Sequence, residues 1–279
     1  MHEDWLERFL ADPDACVSPE LSTTTREDYI NRIVEGGFPL ALAASSDAAR
    51  NRWLKNYVSL TLARDVAELS AIRHGALLPD LLGKLAAQTA QVLNIEKAAR
   101  DIGLEKNTAA RYVSLLEHVF LLYRLPAWGK TLSARTARLP KVHMMASTVA
   151  AHQMRLTATK LARRDATALT EFGHLLETFV VAELKKQASW LPDAHSFGHW
   201  RTHDDDEVDF VLERDDGCVV AIEVKAAGRV AGPELRPLTH LRDKLGEAFL
   251  GGAVLYLGQR SYNVEDRIVV VPVDRLWTK

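Results

Sequence analysis

Cysteine is scarce in this sequence, with only Cys16 and Cys218 among 279 residues. Two distant thiols exclude a disulfide scaffold and a cysteine-built zinc site, and they suit a reducing compartment, so the cytoplasm is the expected location. No stretch reaches the roughly 18 consecutive apolar residues that a membrane span requires, so no membrane partner is expected. The first residues place Glu3, Asp4 and Glu7 ahead of Arg8 with no long apolar run, unlike a secretory leader. Excess charge is missing too. A net charge of -2, with 47% hydrophobic and 26% charged residues, is an ordinary globular mixture without global attraction for nucleic acid or membrane. No internal repeat or low-complexity tract is present, which excludes the solenoid classes. A phosphate-cradling G-x-x-x-x-G-K-[ST] loop is also lacking. Gly129-Lys130-Thr131 comes nearest, with Arg124 in place of the first glycine and Pro126 inside the loop, so no ATP binding is expected.

One local absence points somewhere. From His118 through Arg164 there is no Asp or Glu, while Arg124, Lys130, Arg135, Arg138, Lys141, Arg155, Lys160, Arg163 and Arg164 fall in that window. Such a surface attracts phosphate through counterion release. A solvated basic face is the alternative reading.

Hydrophobic periodicity predicts a helical N-terminal part. Tyr29, Ile30, Ile33 and Val34 form a helical stripe ended by Gly36-Gly37-Phe38-Pro39, and a longer run follows from Trp53 to Val66. A further run covers Leu77 to Val92. Asn94 is placed to cap a short helix from Ile95 to Ile102, which Gly103 ends. The next helix, from about Asn107, puts Ala109, Tyr112, Val113, Leu116, Val119 and Phe120 on its buried side. It leaves Lys106, Thr108, Arg111 and Ser114 near an exposed N-terminal face, where a recognition helix presents side chains to a major groove. With a short hairpin after Leu121, this reads as a winged helix. The candidate DNA contacts are Lys106, Thr108, Arg111, Lys130, Arg135, Arg138 and Lys141. Three segments are expected: a helical one over 1–79, the winged-helix module over 80–145 and a mixed α/β domain over 146–279.

The chemistry lies in the last segment. A helix from Leu169 to Ala188 carries Glu177 on its flank, and three strands follow: His195–Trp200, Glu207–Glu213 and Cys218–Lys225, the last two joined by a turn at Asp215-Asp216-Gly217. Period-two alternation puts Glu223 and Lys225 on one face of their strand. It puts Asp209 on the face opposite Val208, Phe210 and Leu212. Carboxylates within an apolar strand are costly unless they pair with a cation or a metal. Asp209 and Glu223 offer hard oxygen ligands for Mg²⁺, and Lys225 is suited to orient water or stabilise developing negative charge. Glu177 is a candidate to complete the set. A cross-strand salt bridge is the plainer meaning of Glu223-Val224-Lys225.

At these residues the chain resembles the PD-(D/E)xK superfamily of restriction-endonuclease-like folds. The order helix, three strands, helix (Pro233 to Phe249) and strand (Ala253 to Leu257) is similar to its αβββαβ core. More narrowly, the chain resembles the C-terminal portion of bacterial AAA-type ATPases that carry a domain of unknown function, DUF-4143. The residues carrying this likeness are Gly36-Gly37-Phe38-Pro39, Arg64-Asp65-Val66, Asn107-Thr108, Arg111-Tyr112, Leu115-Leu116-Glu117, Pro140-Lys141-Val142-His143, Leu176-Glu177-Thr178-Phe179-Val180, Glu207-Val208-Asp209-Phe210, Glu223-Val224-Lys225 and Leu276-Trp277. The ATPase module is lacking, and Ala146-Ser147-Thr148 stands where the family tends to have an Asp and a Gly. The resemblance implies a DNA-associated protein with a nuclease-like domain; one reading is a Mg²⁺-dependent DNA endonuclease, with Glu177, Asp209, Glu223 and Lys225 catalytic and Asp209 and Glu223 binding metal. Two alternatives stay open: a non-catalytic DNA-binding module, and an adaptor docking on a separate AAA-type ATPase or another protein.

Overall fold

A computed structural model of the chain describes residues 4–66, 75–129, 138–192, 195–203 and 206–278. In chain order the helices are α1 (Trp5–Ala11), α2 (Arg26–Glu35), α3 (Pro39–Leu42), α4 (Asp47–Leu60), α5 (Leu78–Ala86), α6 (Ile95–Arg100), α7 (Lys106–His118), α8 (Ser147–Gln153), α9 (Ala158–Leu161), α10 (Ala166–Ala188) and α11 (Arg236–Leu245). The strands are β1 (Gln91–Val92), β2 (Leu122–Leu125), β3 (Lys141–Met144), β4 (His195–Arg201), β5 (Glu207–Arg214), β6 (Val219–Lys225), β7 (Phe249–Tyr256), β8 (Tyr262–Glu265) and β9 (Ile268–Pro272). The class is mixed α/β. Among the described residues no helix is long and apolar enough to cross a membrane.

Two compact units interleave along the chain. One is built from residues 30–124 and 140–178, the other from 1–29, 125–139 and 179–279.

The first unit is mainly helical. Leu81, Leu82 and Leu85 of α5 and Ala109, Tyr112, Val113 and Leu116 of α7 are fully buried, each large apolar side chain contributing about 1.5–3 kcal/mol of transfer free energy. Asn94 caps α6, its side chain accepting from the Lys97 N–H at 2.8 Å. Glu105 caps α7 in the same way through the Thr108 N–H, also at 2.8 Å. The helical run read from Leu77 to Val92 stops at Ala86. Ala90 takes a left-handed φ of 63°, and Gln91 and Val92 instead pair with Val142 and Lys141 in a small sheet of order β1-β3-β2. Phe120, expected on the buried side, is 69% exposed. The helix has ended at His118, and a φ of 57° at Phe120 turns that side chain outward.

Gly36 closes α2 at φ 70°, and a Cβ there would lie 2.3 Å from Thr148 Cγ2 and 2.6 Å from Thr148 Cβ. Gly103 has nearly the same φ, 69°, but open space around it. Gly103→Ala is therefore expected to cost about 1 kcal/mol, the left-handed penalty alone. Gly36→Ala is expected to cost about 2–4 kcal/mol, because overpacking against a buried β-branched side chain adds to it. Chemical denaturation of the two variants checks this; equal losses would show that Thr148 moves aside freely.

The second unit is built on a six-stranded sheet of order β4-β5-β6-β7-β9-β8. β4, β5 and β6 run antiparallel; β7 pairs parallel to both β6 and β9. The β5–β6 turn is closed by Gly217 at φ 81° and by the Cys218 N–H on Asp216 Oδ1 at 2.9 Å. Leu235, Leu238, Leu241 and Leu245, at and along α11, pack on one sheet face against Val208, Val211, Val219, Ala221 and Val254. Both cysteines are free, and burial pushes the Cys16 thiol up to about 11.

Candidate functional site

Asp209, Glu223 and Lys225 come from adjacent strands of the second unit. Strict alternation would put Asp209 opposite both Val208 and Phe210, but β5 is not strictly alternating. β4 pairs Gly198 with Val211 and Trp200 with Val208, so β5 uses three residues where β4 uses two. This is a β-bulge at Asp209-Phe210, and bulges re-aim side chains. Val208 and Val211 consequently share the α11 face, while Phe210 stacks on Phe197 at a centroid distance of 5.7 Å. The β5–β6 ladder ends at the pair Phe210–Ile222. The Asp209 carboxylate takes over just beyond it, its Oδ2 accepting from the Val224 N–H at 2.9 Å. That contact places the carboxylate against the backbone between Glu223 and Lys225.

Alternation holds in β6. Ala221 faces α11, so Glu223 and Lys225 follow on that face. Glu223 is 5% and Asp209 6% exposed. The Lys225 amine donates to Glu223 Oε1 at 2.7 Å. Burial works against the Lys225 ammonium, but the charge and hydrogen bond of Glu223, then Asp209 and Glu234, hold its pKa above the ordinary lysine value. Glu234 was not among the residues singled out from sequence. It lies in the short helical turn Gly232–Leu235, where its Oε2 accepts from the Ala231 N–H at 2.6 Å. Its sequence signal is an acid directly after Pro233 at a helix start.

Glu177 belongs to the first unit and has its own partner. Its Oε1 lies 2.6 Å from Lys141 Nζ and 3.9 Å from His143 Nε2. His143 stacks on Tyr123 and reaches Thr178 Oγ1 at 3.3 Å, and Thr178 in turn bonds Thr89 at 2.8 Å. Burial, then the Glu177 charge, raise the Tyr123 pKa. Lys141, read from the sequence as a phosphate contact, is 2% exposed. It presents no amine to solvent, because β3 turns it inward onto Glu177.

The other candidate DNA contacts are distributed as follows. Lys106 is exposed and pairs with Glu96 at 3.3 Å. Arg111 is exposed, with its guanidinium 5.6 Å from the Tyr112 ring centroid. Thr108 is half-buried and Arg138 exposed. Lys130 and Arg135 lie outside the described residues.

Among the described residues no group of three or more His, Cys, Asp or Glu side chains converges as a metal cage. The Asp209 and Glu223 pair still fits Mg²⁺ in its donor chemistry, since that ion is commonly held by one or two carboxylates, with waters and substrate phosphates filling the rest.

Residues 26–160 match a domain of unknown function, DUF8612, and residues 172–276 match another, DUF4143. An uncharacterized protein of Mycobacterium bovis and one of Mycobacterium tuberculosis are each 26% identical over 246 residues, covering 88% of this chain and 53% of theirs. The chain thus spans about half the length of the curated relatives it matches. No solved structure matches it.

Proposed function

We propose that this chain is a DNA-associated protein with a restriction-endonuclease-like domain of the PD-(D/E)xK kind, hydrolysing phosphodiester bonds with Mg²⁺ at Asp209, Glu223 and Lys225. The observation that carries this reading is the β5 bulge. It turns a carboxylate out of the apolar ladder and onto the backbone beside Glu223 and Lys225, where a buried acid is costly unless a cation or a metal offsets its charge.

Asp209 and Glu223 are the residues to hold the metal, which when bound supplies Lewis acidity and a more acidic water. Lys225, on the same face, has a raised pKa and so stays an ammonium at neutral pH. It is suited to exchange its bond with Glu223 for one to the attacking water or a phosphate oxygen. Helices α5, α6 and α7 with the β1-β3-β2 sheet supply the winged-helix element of the proposal. Lys106, Thr108 and Arg111 at the start of α7 meet DNA, and phosphate contacts there set position rather than sequence preference.

Supercoiled plasmid incubated with the purified chain tests the proposal. Nicking is expected in Mg²⁺ or Mn²⁺ and none in EDTA, because two carboxylates without a metal do not activate water. Metal-independent nicking, or none under any condition, removes the endonuclease reading. A second reading draws on the relatives being nearly twice as long: the chain acts as a non-catalytic DNA-binding or adaptor part beside a separate AAA-type ATPase. Inactive protein that still binds duplex with steep salt dependence would favour that reading.

A further inference from the structure

A second polar cluster stands at the start of β5, outside the groups described above. Asp206 has a side chain only 8% exposed, and both its oxygens are engaged. Oδ1 accepts from Arg236 Nε at 2.7 Å and lies 2.6 Å from Arg236 Nη2, while Oδ2 meets His240 Nδ1 at 2.8 Å. The His240 hydrogen bond, opposed by burial and joined by Arg236, holds the Asp206 carboxyl below the usual range. An ionised carboxylate only accepts, so His240 Nδ1 is the donor and Nε2 is the ring position left to face outward. The Trp200 ring meets the imidazole edge-on at 5.5 Å and 85°, which fixes its orientation.

Arg236 and His240 lie one turn apart on α11, 66% and 46% exposed at their side chains. With Asp206, Thr239 and Asp243 they line a surface cavity of about 440 Å³. The antiparallel β5–β6 pairing sets the start of β5 beside the end of β6, so this cavity is at the Lys225 end of the hairpin. Among the described residues, charges on the neighbouring elements include Lys244, 5.8 Å from the Trp200 ring, Asp243, bonded to Arg242 at 3.0 Å, and the Arg201–Glu207 pair at 4.0 Å on β4 and β5.

We propose that Asp206, Arg236 and His240 form a phosphate subsite that grips the DNA backbone next to the bond to be cut, an assignment whose ligand rests on the endonuclease reading. Arg236 supplies a fixed charge with donors to spare beyond Asp206. His240 adds a donor at Nε2 when protonated. Asp206 is the positioning residue, holding both cations at one spacing and satisfying the faces they turn inward. Charge-assisted hydrogen bonds of this kind are the strong ones at phosphate sites.

The test uses the full chain in EDTA, with ring-nitrogen NMR of His240 during titration by a short DNA duplex and, separately, by inorganic phosphate. The duplex is expected to shift the His240 signals, and Arg236→Gln and His240→Ala are each expected to weaken duplex binding about tenfold. Each substitution takes one partner from the buried Asp206 carboxylate, so a lowered melting temperature is expected, and far-UV circular dichroism at the titration temperature checks that the variants are folded. Duplex-induced shifts in a wild-type protein that nicks no DNA in Mg²⁺ or Mn²⁺ would support this subsite while the endonuclease reading fails. If inorganic phosphate moves the signals and the duplex does not, the backbone assignment is overturned. If neither moves them, the subsite itself is.

Discussion

Asp209→Asn is expected to lower plasmid nicking by about a thousandfold or more, a loss of roughly 4 kcal/mol of transition-state stabilisation, while leaving duplex binding unchanged. Asn is the informative replacement. Its side-chain oxygen still accepts from the Val224 N–H that Asp209 Oδ2 holds at 2.9 Å, so the end of the ladder keeps its cap while the negative charge needed for a hard cation disappears. Asp209→Ala removes both, leaving a buried N–H without its acceptor at about 1–3 kcal/mol, and so mixes stability with activity. A comparison of rate, duplex affinity and melting temperature for the two variants separates these effects. Wild-type nicking by Asp209→Asn would show that the bulge serves the fold and not a metal.

Glu177→Gln is expected to destabilise the protein by about 3–5 kcal/mol, because it leaves the Lys141 ammonium buried without its anion. The geometry makes this a severe case: Lys141 is 2% exposed, and its amine sits 2.6 Å from Glu177 Oε1. Lys141→Met combined with Glu177→Leu is expected to recover most of the loss, since an apolar pair of similar volume avoids the desolvation of both charges. The coupling from this double-mutant cycle, read by urea denaturation, should exceed about 2 kcal/mol. A loss below about 1 kcal/mol for Glu177→Gln would mean that the pair is hydrated and that β3 and α10 are held together by packing alone.

Much of the candidate site was legible from local pattern. β6 alternates through Val220, Ile222 and Val224, so Glu223 and Lys225 had to share a face; the Asp216-Gly217 turn fixed where the hairpin closes. The bulge was not legible, because a two-for-three register is a property of the pair β4–β5 and leaves no mark on β5 alone. Lys141 looked like one more member of an acid-free basic stretch. Its partner is 36 positions away on α10, and no periodicity connects a strand residue to a helix residue at that separation. Asp206 sits within the acidic run Asp204-Asp205-Asp206-Glu207, where nothing local distinguishes it from its neighbours, although Arg236 and His240 at helical i, i+4 spacing were a signal that one helix face carried two cations.

By itself the sequence determined the mixed α/β class, most element positions, the Asn94 cap, and the shared face of Glu223 and Lys225. These depend on residues within about one or two turns of each other, where backbone geometry alone sets which side chains meet. Tertiary structure alone decided which charges are spent on one another. Lys141 goes to Glu177, Asp206 goes to Arg236 and His240, and Asp209 turns aside at a bulge to the Val224 N–H. The physical reason is that a buried charge takes whichever partner packing brings within hydrogen-bond distance, and packing joins residues that the linear order keeps apart.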